Sequence, residues 1–372
     1  MIGRWVVGVA VVVYLAVAGT VLFSGGATSS VAGADPVTAP GTAGGASVSL
    51  AGLPYRGAGM QIQRIDWMDR YKQSVDELAA LGFDTVSFVV DSRMENGTAA
   101  KIYLDMRMTP TPEQLGDLIT HAKSKGLRVI LMPIVLLDQP RGTEWRGRIN
   151  PASDNGGWET WWDSYRSMIL HFAWIAESYG VNVLSVGSEL VSTETPDKLG
   201  EWRRLIRDVR QVYKGQLTYS ANWDHYTPVK FWDQLDLIGL NSYYKLGDGR
   251  NVTVDEVKRR WADIQKDLLA FTKKQGKPLL FLEVGWCSMA NAAHEPWDYT
   301  KTDEPLDLDL QKRLFEGFMQ SWYGNANLGG FVVWEWTPGD PATEDKGYTP
   351  EGKPAEQVVK QWLAKPRWDV KP

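Results

Sequence analysis

The sequence predicts an α/β protein whose folded part is a single (β/α)8 TIM barrel, and three observations predict it. After Pro54, short apolar runs alternate eight times with amphipathic helical stretches, the pattern of parallel strand–helix units. Two of the runs, VNVLSVGSEL (Val181 to Leu190) and KPLLFLEVGW (Lys277 to Trp286), place a carboxylate, Glu189 or Glu283, where the strand stops. Of the 372 residues, roughly 320 remain after the N-terminal segment, long for one sandwich and natural for one barrel with insertions. A doubly wound sheet accounts for five or six units, not for eight so evenly spaced. No second domain or internal repeat is evident.

Residues 1–23 read as an export signal or membrane anchor. Trp5 to Phe23 carries no charge and follows Arg4. It is long enough to span a bilayer, whereas a cleavable apolar core usually runs about 7–15 residues. Ala32-Gly33-Ala34 offers a cleavage site, but far beyond the apolar run, so the reading leans to an uncleaved anchor. Arg4 on the cytoplasmic side places the remainder outside the cytoplasm, or free in the periplasm or medium if the segment is cleaved. Residues 24–53, rich in Gly, Ala, Ser, Thr and Pro, have too few large apolar side chains for a core and read as a flexible linker. The barrel domain then occupies residues 54–372.

The eight units follow in order. Strand one, Gly57 to Ile62, precedes a helix through Ser74 to Leu81 that stops at Gly82. Strand two is Thr85 to Val90, and its helix opens on the capping signal TPEQ (Thr111 to Gln114) and runs to Gly126. Strand three, Arg128 to Val135, leads into a Trp-bearing segment and a helix from Trp158 to Tyr179. Strand four ends at Glu189, with its helix from Pro196 to Tyr213. Strand five is Leu217 to Ala221, before a short helix around Val229 to Gln234. Strand six, Leu235 to Leu240, precedes a helix from Val254 to Gln275. Strand seven, Leu279 to Glu283, precedes a helix from Leu308 to Tyr323. Strand eight is Gly330 to Trp334, and Ala355 to Leu363 is the last helix.

Composition narrows the function. A formal net charge of −5 without a long basic run argues against nucleic acid as a partner. The single cysteine, Cys287, excludes an intrachain disulfide framework and a Cys-rich zinc site, and it reads as a packing residue. Four scattered histidines without HExxH spacing argue against a metal, and no cofactor motif is present. The 18 Trp and 14 Tyr favour a carbohydrate site, since flat aromatic faces suit the C–H faces of sugar rings. The alternative is that each is a core residue.

Catalytic groups of a barrel sit at the C-terminal strand ends. Strands four and seven lie on opposing sides, so Glu189 and Glu283 can face each other as glycoside hydrolysis requires. Asp91, Arg93, Asn222, Trp223, Asn241, Tyr243, Tyr244, Trp286, Trp334 and Trp336 also fall at strand ends. Asp91 and Arg93 offer polar contacts or simply an ion pair.

These residues resemble a known family. GSEL and FLEVGW are similar to the acid/base and nucleophile motifs of the retaining clan A glycoside hydrolases. Within that clan the likeness is to glycoside hydrolase family 113, whose known members are largely endo-β-1,4-mannanases. Its acid/base strand reads VGTEL beside VGSEL here (Val186 to Leu190). Trp145-Arg146-Gly147, LTYSANW (Leu217 to Trp223) and LDLIGLNSYY (Leu235 to Tyr244) look like further segments of it. The resemblance covers about Tyr55 to Trp362.

It implies that Glu189 is the general acid/base, Glu283 the nucleophile and Tyr243 a hydrogen-bond partner of Glu283. Trp334 becomes the platform under the sugar at the cleavage point, extended by Trp223 or Trp336. Asn222 bonds a hydroxyl or structures its loop, and Arg146 reaches the sugar or pins its loop. Asn241, Trp286 and Arg93 complete the candidate substrate contacts. Two departures stand out. Ser188 replaces the Asn that most of the clan has before the acid/base. Met132 and Ile134 stand where the family pattern has Lys and His, which bears on mannan specificity more than on hydrolysis.

The expected activity is a retaining, endo-β-1,4-mannanase-like hydrolysis of a β-linked polysaccharide by a monomeric catalytic domain, with the membrane touched only through the N-terminal segment. The alternatives are a β-glucan-active enzyme of the same clan and a membrane-tethered carbohydrate-binding barrel that has lost catalysis. A barrel for phosphorylated metabolites lacks the Gly-rich phosphate loop after strands seven and eight.

Overall fold

The computed structural model describes residues 50–339 and 344–371, so the anchor and most of the linker expected from the sequence lie outside the described residues. Among the described residues no helix is long and apolar enough to cross a membrane.

Eight parallel strands close a barrel in chain order: β1 (Tyr55–Ile62), β2 (Thr85–Met94), β3 (Arg128–Leu137), β4 (Val183–Ser188), β5 (Gln216–Ala221), β6 (Ile238–Asn241), β7 (Leu279–Val284) and β8 (Leu328–Val333). The ring is completed by β1 against β8, with Tyr55 opposite Gly330. Strand side chains alternate between two environments. Ile130, Met132 and Ile134 of β3 point into the barrel with Val89, Val183, Leu280 and Val332. Val129, Leu131 and Val135 of the same strand join the larger core under the helices. Both faces are covered, which is why these strands read as apolar runs and not as alternation.

Seven α-helices surround the described strands: α1 (Met68–Leu81), α2 (Pro112–Ser124), α3 (Gly157–Ser178), α4 (Leu199–Val212), α5 (Val254–Gln275), α6 (Leu308–Trp322) and α7 (Pro354–Leu363). The TPEQ signal forms a full capping box, the Thr111 side chain and Gln114 each satisfying a backbone N–H of the other. Thr253 and Glu256 do the same for α5. Two expectations shift. The helix expected at Val229 to Gln234 is a single 3-10 turn, Trp232–Gln234, and β6 starts at Ile238 instead of Leu235. The cause is local: Leu235 donates back to Trp232 to close that turn, so the residue is not free to join the strand ladder.

Asp84 ties the N-terminal ends of the strands together. It accepts from the Arg56 backbone N–H and Nε, both at 2.9 Å, and pairs with Arg128. Burial alone raises its carboxyl; the Arg128 and Arg56 charges and hydrogen bonds outweigh that and hold it below the ordinary range. Replacing Asp84 with Ala leaves two largely buried guanidiniums uncompensated, an expected loss of about 3 kcal/mol readable in a denaturant midpoint. Because the folded carboxyl titrates low, its contribution is present above the ordinary carboxylate range and is lost as pH falls through the depressed value. The Asp84→Ala variant is therefore expected to lose less stability than the parent when the midpoint is remeasured in acid.

Candidate active site

The C-terminal strand ends open into a cavity of about 1470 Å³ whose walls include Arg146, Glu189, Asn222, Trp223, Tyr243, Glu283 and Trp334. Seven of the side chains singled out from the sequence therefore share one site.

Glu189 follows β4 directly, and its backbone is in the left-handed region at φ 55, the one such non-glycine among the described residues. That conformation costs about 1–2 kcal/mol and persists only where surroundings impose it. Here its N–H donates to the Ser220 carbonyl at 2.9 Å, and the next N–H, of Leu190, donates to the Tyr219 hydroxyl at 2.8 Å. The Tyr219 hydroxyl in turn donates to the buried Glu194 carboxyl at 2.6 Å. The turned backbone aims the Glu189 carboxyl into the cavity, where each oxygen has its own donor. Asn241 Nδ2 reaches Oε1 at 2.9 Å, and Arg146 reaches Oε2 through Nη2 at 3.1 Å and Nε at 3.3 Å. The Asn241 amide is itself oriented by the Ser220 hydroxyl, which donates to Oδ1 at 2.5 Å.

Glu283 sits within the last turn of β7, buried, and its Oε2 accepts from the Tyr243 hydroxyl at 2.6 Å. Burial pushes the Glu283 carboxyl up to about 8, and the charge of Glu189 adds to that push; the Tyr243 O–H and the Arg146 charge oppose it. Burial and the Glu283 charge hold the Tyr243 phenol far above its usual range, so it remains a donor. Removing that donor in Tyr243→Phe raises the Glu283 pKa further. The acid limb of kcat/KM is then expected to move to higher pH, with a loss of about 10- to 100-fold at neutral pH. A pH–rate profile checks it.

The glycine of FLEVGW has a steric reason. A Cβ on Gly285 would lie 1.9 Å from the Trp334 carbonyl oxygen, and Trp334 N–H donates to Val284 O at 2.7 Å. Only glycine lets β7 approach β8 so closely, and the approach seats Trp334, half-buried, beside Glu283.

Several expected contacts are displaced. Trp286 is fully buried edge-on to Phe315, and Trp336 is buried against Phe83, so neither reaches the cavity. Arg93 is engaged by Asp91 and Asp138, away from the cavity wall. Asn241 is fully buried and serves Glu189 instead of a sugar. Arg146 lines the cavity and pairs there with Glu189. Asn222 lines the wall, and its Oδ1 accepts from the Trp223 N–H at 3.0 Å. Cys287 packs with Tyr243, Met289 and Tyr348, and burial pushes its thiol up to about 12, as suits an inert packing residue.

Other wall residues carried no signal that the sequence reading used. Trp297 and Tyr299, from the loop between β7 and α6, are 44% and 65% exposed, and the Trp297 ring stacks on Trp223 at 5.8 Å. Gln61 and Glu335 complete the side next to Trp334. Glu335 stands between Trp334 and Trp336 in the chain. Among the described residues no cluster of His, Cys, Asp and Glu is arranged to hold a metal ion.

Comparison with known proteins agrees with this geometry. The model of Glycoside Hydrolase Family 113 matches residues 58–353. A solved structure described as the family 113 β-mannanase AaManA from Alicyclobacillus acidocaldarius, in complex with ManMIm, is 31% identical with a TM-score of 0.75. The match covers 85% of this chain and 98% of that one. Another, described as a complex of a family 113 β-1,4-mannanase, is 27% identical with a TM-score of 0.74, covering 83% and 98%. A family 5 mannosidase from Rhizomucor miehei, at 13% identity and a TM-score of 0.59 over 86% of this chain and 96% of that one, shares the fold. No curated protein sequence matches. With the family model spanning most of the barrel and both carboxylates in one cavity, the chain is a glycoside hydrolase and belongs to glycoside hydrolase family 113.

Proposed function

We propose that the protein is a retaining endo-β-1,4-mannanase-like hydrolase, with Glu283 as nucleophile and Glu189 as acid/base. The observation that carries this reading is the pair of strand-end carboxylates in one cavity, each oriented by its own donors beside the Trp334 ring. Identity of 27–31% to structures described as family 113 β-mannanases supports the sugar. The cavity exceeds the roughly 300–1,000 Å³ of ordinary small-ligand sites, which supports binding of several sugar units and internal cleavage.

In the first step the Glu283 carboxylate attacks the anomeric carbon, the glycosidic bond breaks, and Glu189 gives its proton to the departing oxygen. In the second, water attacks the glycosyl–Glu283 ester while Glu189 takes the proton back. Burial favours a proton on Glu283. Catalysis needs the reverse. A bound sugar supplies the difference: its glycosidic oxygen accepts from a protonated Glu189, and the positive charge developing at the anomeric carbon favours an ionised Glu283.

Ile134 supports a second reading, a β-glucan-active enzyme, because it places an apolar side chain in the wall where the family pattern has a polar one. The uncharged run Trp5 to Phe23 supports export, with the barrel outside the cytoplasm; cell fractionation tests that placement. The function itself is tested by incubation with mannans, glucans and xylans. Products are sized, and their first-formed anomer is read by proton NMR. Manno-oligosaccharides with β configuration are expected. First-formed α products sink the retaining mechanism, and no product from any polysaccharide sinks the enzyme.

A further inference from the structure

Glu335 is a carboxyl of the cavity wall that neither step of the hydrolysis uses. It follows Trp334 immediately and is partly buried beside it. Its Oε2 accepts from Gln61 Nε2 at 2.7 Å, while Gln61 Oε1 accepts from Gln63 Nε2 at 2.9 Å. This chain across the end of β1 leaves no freedom to the Gln61 amide: its oxygen is taken, so its N–H groups point toward Glu335. The other carboxyl oxygen, Oε1, has no hydrogen-bond partner among the described residues. That leaves Oε1 able to meet a hydroxyl of whatever fills the cavity that Glu335 lines.

Its place relative to the scissile bond follows from the barrel. Glu335 follows β8, which pairs with β7, the strand of Glu283, and with β1, and it adds to the upward push on Glu283. It therefore lies on the nucleophile side of the cavity, with Trp334 and β1, and not on the β4 side where the leaving group departs. The Trp334 ring approaches the backbone of Gly59, where an added Cβ would meet it at 3.1 Å, so platform, Gln61 and Glu335 are built on the same pair of strands, β8 and β1.

We propose that Gln61 and Glu335 form a hydroxyl clamp for the sugar unit seated on Trp334, on the non-leaving side of the scissile bond, and that this clamp selects the configuration of that sugar. The proposal rests on the reading of the site as a β-glycan hydrolase and adds to it the residues that choose the glycone. Burial pushes the Glu335 carboxyl up to about 7 against the Gln61 hydrogen bond, so near neutral pH it serves a hydroxyl as donor or as acceptor.

The test measures kcat and KM of the full chain and of Glu335→Ala, Glu335→Gln and Gln61→Ala on 4-nitrophenyl β-mannoside. The 2-, 3-, 4- and 6-deoxy analogues and the β-glucoside are measured beside it. Glu335→Ala is expected to lower kcat/KM on the parent mannoside by about 10- to 100-fold, the size of one hydrogen bond to a charged group. Glu335→Gln, which keeps the shape, is expected to recover part of that. The diagnostic is the deoxy series: on one analogue, the one lacking the clamped hydroxyl, the Ala variant is expected to lose little more, and the mannoside-to-glucoside ratio is expected to change. Equal losses on every analogue, with an unchanged ratio, assign Glu335 a structural role and overturn the clamp. So does an Ala variant with wild-type constants. A wild-type chain that cleaves neither these glycosides nor any polysaccharide overturns the underlying function, and a wild-type chain that cleaves them with an unchanged mannoside-to-glucoside ratio in every clamp variant removes the clamp alone.

Discussion

Glu283→Ala is expected to lower turnover by about four orders of magnitude or more while the barrel stays folded, because it removes the atom that forms the covalent bond. Folding is not at risk in the same degree. The side chain is buried with one hydrogen bond, from Tyr243, and its removal relieves the push of two neighbouring carboxyls on each other. The variant separates a nucleophile from a residue that is merely close. The alanine leaves space on the face of the sugar opposite the leaving group, and azide admitted there can attack the anomeric carbon. Azide is expected to restore turnover on an activated aryl glycoside and to yield the α-glycosyl azide, with the aryloxide leaving as the carbon–nitrogen bond forms. Circular dichroism and a thermal melt close to the parent establish that the loss is chemical. Near-parental turnover without azide would falsify the nucleophile assignment.

The barrel was legible because its signal is redundant. Each strand is buried on both faces, so each reads as an apolar run, and eight such runs at even spacing leave little choice of architecture. Glu189 and Glu283 were legible for a related reason: a charge at the end of an apolar strand is disfavoured in the core and faces the strand ends. The tryptophans were not. Trp334, Trp336 and Trp286 look equivalent in sequence, but β8 ends at Val333 and β7 at Val284, and beyond those points two-residue alternation no longer says which way a side chain turns. Trp334 stays on the cavity side, while Trp336 turns into the core under the helices. Trp297 and Tyr299 lie in a long loop held by scattered backbone contacts, such as Leu246 N–H to Ala293 O at 2.8 Å, which no periodicity announces. Asn241 and Arg146 were placed near the site, but their service to Glu189 depends on side-chain reach between strands, which sequence order does not contain.

Glu189→Gln carries the second largest effect, and its signature differs from that of Glu283. The amide keeps the volume, and its one acceptor oxygen can meet Asn241 or Arg146 but not both, while it has no proton to give or take. General acid–base help is worth about 10²–10⁴-fold, so losses in that range are expected on mannan, whose sugar leaving group needs a proton. A dinitrophenyl mannoside departs without one. On that substrate the first step is expected to run at close to the parental rate and the second to stall, since water still needs a base. A burst of dinitrophenolate equal to the enzyme concentration, followed by slow turnover, is the expected trace. Azide, which needs no base, is expected to relieve the slow phase and give the β-glycosyl azide, the opposite anomer from that of Glu283→Ala. The limb of the pH profile that reports the acid should disappear. An equal loss on mannan and on the dinitrophenyl glycoside, with no burst, would instead make Glu189 a structural partner of Arg146, and the left-handed turn that aims it would need another purpose.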